Sequence, residues 1–121
     1  MIDIDKKLIG LSKSKFRSSF HLRKYMIAYI NEKGLDKIKE HAFDFINQRL
    51  AVYDKLKDGH QTPMKGHPVF IAQHATGACC RKCLNKWYNI PIERNLTDEE
   101  VNDIVSIIMK WINKELNERK Q

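Results

Sequence analysis

The sequence predicts an all-α protein: a compact single-domain helical bundle with a Cys/His segment at a helix junction. Three observations predict it. Apolar residues recur three and four apart in separate stretches, the spacing that lays one helix face against a core. Helix start and stop signals bracket those stretches, and strands have no comparable support. The 121 residues, 42% apolar and 31% charged, have the composition of one globular domain large enough to bury a core.

Residues 1–20 read as a polar N-terminal lead-in, with Phe16 and Phe20 as aromatic anchors. A helix is expected from about His21 to Lys33, burying Leu22, Met26, Tyr29 and Ile30. Gly34 can take the left-handed conformation that closes it. Asp36 is a good N-cap for the next helix, about Lys37 to Val52, with Ile38, Ala42, Phe45, Ile46 and Arg49 along one face. Phe43 and Leu50 widen that face.

Residues 54–67 form the longest irregular connection. Asp58-Gly59 and Lys65-Gly66 are turn-like, and Pro63 blocks helix continuation. Such a loop often has a binding role or is simply mobile. Near the end of the chain, Thr97 with Glu100 forms a capping box and Leu96 with Val101 a hydrophobic staple. The helix they announce runs from Asp98 to about Glu118, with Ile104, Val105, Ile108, Trp111, Ile112 and Leu116 at helical spacing. Residues 21–118 thus make the helical domain, and 119–121 a tail.

Every cysteine lies between His67 and Cys83, in the order His67, His74, Cys79, Cys80, Cys83. Thiolate and imidazole are the ligands that borderline and soft metals prefer. In one unbroken helix from Pro68 to Tyr88 the histidines and cysteines would occupy opposite faces. Gly77 is a natural terminator, so a bend at Thr76-Gly77 and a restart near Ala78 can bring the two groups together. Cys79 and Cys80 would then sit in the first turn of the new helix, where free amides and the dipole favour thiolate.

Known motifs are absent. There is no His-x-Glu before a Pro-Cys-x-x-Cys, no His-Glu-x-x-His, and Leu84 rather than histidine follows Cys83. Two-histidine fingers place their cysteines first, the reverse of this order. Cys80-Arg-Lys-Cys83 has redox spacing without a βαβ context. Three cysteines with one histidine would complete a tetrahedral zinc site, the favoured reading, with an iron–sulfur cluster as the rarer alternative. Buried thiols that pack as small apolar groups account for the same residues. So does a catalytic thiolate with His74 as base. His21, His41 and His60 have no clustered partners, and Trp87 suits the core.

The net charge of +7 is uneven. Residues 1–34 carry eight basic and three acidic groups, whereas residues 96–121 carry four basic and six acidic ones. Lys13, Lys15, Arg17, Arg23, Lys24, Arg81, Lys82 and Lys86 are the candidate contacts to nucleic acid or another polyanion. A solvated basic face over two aromatics explains them equally. The start of the chain has no apolar signal region and no stretch is long enough to span a bilayer. With an odd cysteine count, that points to reduced thiols in the cytoplasm.

Certain residues carry a resemblance. Phe16-Arg17-Ser18, Phe20-His21-Leu22, Gln61-Thr62-Pro63-Met64 and Gly66-His67-Pro68-Val69-Phe70 are among them. Gln73-His74-Ala75-Thr76, Cys79-Cys80-Arg81, Cys83-Leu84 and Lys86-Trp87 continue it. Over residues 15–115 the chain resembles a bacterial and phage family known as domain of unknown function 4186. Members of that family tend to have histidine after the tryptophan, where this chain has Tyr88. The resemblance implies no activity. The residues themselves point to a small metal-binding protein, with Cys79, Cys80, Cys83 and His74 as ligands and His67 as substitute or outer support. An enzyme with an open metal position or an activated thiolate is the alternative, and a redox-sensing thiol protein the next.

Overall fold

A long amphipathic helix near the C-terminus organises the rest. A computed structural model describes residues 3–57, 59 and 61–119; Asp58 and His60, named above, lie outside that description. Among the described residues there are six α-helices and no strand: α1 (Ile4–Ser12), α2 (Lys24–Lys33), α3 (Leu35–Arg49), α4 (Pro68–Ala75), α5 (Arg81–Tyr88) and α6 (Asp98–Arg119). None is long and apolar enough to cross a membrane.

The capping box and staple start α6 as the sequence predicts. The Glu100 amide donates to Thr97 Oγ1 at 3.1 Å, and the Thr97 amide donates to Glu100 Oε1 at 2.9 Å. Leu96 and Val101 are both buried in the core. Ile104, Val105, Ile107, Ile108 and Ile112 then form a fully buried stripe, on which α3 and α4 pack. From α3 the stripe receives Ile38, Ala42 and Ile46, with Leu50 at its end. The expected apolar face is there.

Three boundaries shift, one of them the end of α3, at Arg49 rather than near Val52. Arg23 is extended, so α2 starts at Lys24 rather than His21. Gly34, at φ +87°, ends α2 and also precedes α3 directly, so Asp36 lies in the first turn of α3 instead of capping it. There its carboxylate still faces the positive end of the helix.

The N-terminal segment is more than a polar lead-in. Residues 4–12 of the supposed lead-in form α1, capped by Asp3, whose side chain accepts from the Lys6 amide at 3.2 Å. Leu8 and Leu11 are buried and Ile4 packs against the core. The spacing of these residues is helical, but the stretch is short and rich in lysine. Its stability comes from docking, since isolated helices of this length are marginal. A 3₁₀ turn at Arg17–Ser19 follows, packed on both α1 and α4.

Helix α4 is buried on all sides, Pro68 through Ala75. A helix with so little polar surface belongs in an interior. It ends where the cysteines begin.

Candidate metal centre

The turn between α4 and α5 is built from Thr76 and Gly77. Gly77 has φ +72°, and the Ala78 amide donates to the Gln73 carbonyl at 2.8 Å, closing the end of α4. Thr76 Oγ1 donates to the Ala72 carbonyl at 2.7 Å. The Tyr88 hydroxyl donates to the Thr76 carbonyl from the far end of α5. A side chain at position 77 is excluded twice over, by the backbone angle and by the indole of Trp87. A Cβ there would lie 2.6 Å from Trp87 Cδ1.

The chain restarts as α5 at Arg81, so Cys80 is its N-cap rather than part of its first turn. Cys80 Sγ accepts from the Cys83 amide at 3.4 Å. Cys83 is on the first turn of α5, and Cys79 lies just outside the helix. Their three sulfurs lie within 4.8 Å of one another, and Cys80 Sγ is 3.2 Å from Cys83 Sγ. Tetrahedral zinc–thiolate bonds of about 2.3 Å place sulfurs about 3.8 Å apart. The three donors fit one ion with small adjustments. The expected bend at Thr76-Gly77 is present and the cysteines converge just beyond it, but among the described residues no histidine joins them.

The histidines are placed differently. Among the described residues the converging group consists of Cys79, Cys80 and Cys83. His74 Nε2 donates to the Pro63 carbonyl at 3.0 Å, and its ring stacks on Phe20. His67 is at the other end of α4 as its N-cap, its Nδ1 accepting from the Val69 amide at 3.0 Å. With Nδ1 an acceptor, the neutral ring carries its proton on Nε2, which lies 3.1 Å from His41 Nδ1. Burial first, and then His41, lowers the pKa of His67 to about 4.

Arg17 is the residue that sequence reasoning placed elsewhere. It reaches in from the 3₁₀ turn, and its Nη1 donates to the His74 carbonyl at 2.7 Å and to Cys79 Sγ at 3.4 Å. Its Nη2 donates to Cys83 Sγ at 3.2 Å. Arg17 is buried, and among the described residues no carboxylate pairs with it. A rigid fork with several donors suits two sulfurs at once. The available signal was a single arginine in the lysine-bearing stretch 12–20.

These contacts make the sulfurs unequal. Hydrogen bonds from Cys79 and Cys80, and then from Arg17, hold the Cys83 thiol well below the usual range against the effect of burial. Hydrogen bonding to Cys79 and Cys83, with burial, pushes Cys80 up. For Cys79 the bond with Cys80 favours thiolate, but the bond with Cys83 and burial outweigh it. The thiol held down is the one that Arg17 Nη2 faces.

Further groups brace the frame. Thr62 Oγ1 donates to the Cys79 carbonyl at 2.7 Å, and Gln73 Nε2 donates to Thr62 Oγ1 and to the Ala78 carbonyl. The long loop thus ends against the cysteine segment. Arg81, counted among the polyanion contacts, is 1% exposed and donates to the carbonyls of Leu50, Pro91 and Arg94. Neither Arg17 nor Arg81 is on the outer surface. Lys13, Lys15, Arg23, Lys24, Lys82 and Lys86 are exposed.

The fold and site define an all-helical domain in which a sharp interhelical turn converges three cysteines that can hold a metal ion. The chain belongs to the family described as domain of unknown function 4186, which it matches over residues 5–113. No solved structure matches it.

Proposed function

We propose that this is a metal-binding protein whose ion, zinc by the chemistry of its donors, is held by Cys79, Cys80 and Cys83. One observation carries the reading: the buried Arg17 guanidinium faces converging sulfurs and, among the described residues, forms no ion pair with a carboxylate. A buried cation needs a compensating anion. Three thiolates around a divalent ion leave one negative charge, which Arg17 cancels. The same bonds orient the sulfurs, as outer partners of metal ligands do.

Three protein ligands leave a fourth position for a donor from outside the cysteine group, as centres that exchange ligands require. Thiols kept free for ligation suit a reducing compartment, the cytoplasm. Elemental analysis of the purified protein, with thiol titration before and after chelation, tests the reading. One zinc per chain and three thiols unmasked by chelator are expected. Freely titrating thiols with no metal would overturn it, and iron with acid-labile sulfide would replace zinc by a cluster. Cobalt substitution then tests the fourth position, because added imidazole or azide should shift the ligand-field bands.

A second reading concerns the surface. The six exposed basic residues named above favour contact with nucleic acid. A gel shift that weakens steeply with salt supports it, and unchanged mobility at low salt removes it.

A further inference from the structure

We propose that Cys80 and Cys83 form a reversible disulfide with hydrogen peroxide as the oxidant, which makes the centre a thiol switch. Zinc release on oxidation rests on the metal reading above; the pairing of the two sulfurs does not.

The geometry selects both partners. Cys83 is the partly exposed member of the three, whereas Cys79 and Cys80 are 8% and 7% exposed. Arg17 Nη2 donates to Cys83 Sγ at 3.2 Å, so a fixed cation faces the sulfur that the oxidant reaches. Cys80 Sγ already lies 3.2 Å from Cys83 Sγ, so a bond of about 2.05 Å needs a movement of little more than 1 Å. Cys80 at the cap and Cys83 one turn on give the spacing of redox pairs at helix starts. Cys79 shares hydrogen bonds with both sulfurs but lies outside α5, its backbone fixed by the bond from Thr62 Oγ1 to its carbonyl.

The steps balance. The Cys83 thiol gives up its proton as its sulfur attacks one peroxide oxygen; an S–O bond forms, the O–O bond breaks, and the leaving hydroxide takes that proton to become water. Cys80 sulfur then attacks Cys83 sulfur, the S–O bond breaks, and a second water leaves with the Cys80 proton. Two thiols are oxidised and one peroxide is reduced to two waters. Two of the three metal ligands are thereby lost.

The test treats the purified full chain with peroxide, as isolated and after chelation, and then maps alkylated peptides by mass spectrometry. A Cys80–Cys83 link with Cys79 alkylated, reversed by dithiothreitol, is expected in both samples. A link through Cys79, or sulfinic acid without any link, would overturn the proposal. A zinc-indicator dye should report one ion released per disulfide in the loaded sample. If no metal is present at the start and the link still forms, the zinc reading fails and the switch stands. In C80S a sulfenic acid at Cys83 should be trapped by dimedone, and in C83S the fast reaction should vanish. Fast oxidation persisting in C83S would contradict the assignment of the attacking sulfur.

Discussion

Arg17 Nη2 sits 3.2 Å from Cys83 Sγ, joining residues 66 positions apart in the chain. This bond ties the N-terminal segment to the cysteine cluster. Replacing Arg17 with alanine removes the compensating charge and two donors to sulfur. Metal affinity is expected to fall about 10- to 100-fold, the usual cost of losing an outer partner of metal ligands. Arg17→Lys should recover part of the loss, since one ammonium supplies charge without the fork. Chelator competition measures both. Equal affinity in all three proteins would separate Arg17 from the metal.

Gly77→Ala should be among the most damaging single-methyl additions. A left-handed conformation costs a non-glycine residue about 1–2 kcal/mol, and overpacking against Trp87 adds about 1–3 kcal/mol. Denaturant unfolding should show a loss of about 2–5 kcal/mol. A loss of only about 1–2 kcal/mol would mean that Trp87 moves aside freely, and one below about 0.5 kcal/mol would contradict the left-handed backbone at Gly77.

The pH dependence of stability should carry the mark of His67. Its folded pKa, about 4, lies below the ordinary value of 6.5, so the unfolded chain takes up the proton first. The contribution is complete above pH 6.5 and is lost as pH falls from 6.5 to 4. It is on the order of 2 kcal/mol after allowing for partial exposure. His67→Asn keeps an acceptor at the cap and removes the titration. Its stability curve should be flatter across that window, and an unchanged slope would assign the effect to another group.

Thr97→Ala should cost α6 about 1 kcal/mol by leaving the Glu100 amide without its cap. Glu100 has its own acid window. Hydrogen bonding from Arg94 lowers its pKa from 4.5 to about 2, so its contribution holds above 4.5 and fades as pH falls towards 2. Thermal unfolding of Thr97→Ala and Glu100→Gln between pH 2 and pH 7 distinguishes the cap from the charge.

The features legible in the residues alone are local. Thr97 and Glu100 announce α6 and Gly77 marks the bend, because caps and positive φ act over a few residues. The helical class and the gathering of Cys79, Cys80 and Cys83 follow from such short-range chemistry. Tertiary structure decided what meets the cysteines. Spacing brought His74 and His67 under suspicion, yet the carbonyl of Pro63 and the ring of His41 engage them instead. It brought Arg17 and Arg81 into a basic surface, yet both are buried among acceptors from distant segments. A side chain's partner depends on which segments pack beside it, and α1, which docks through Leu8 and Leu11, carries that information only once the core exists.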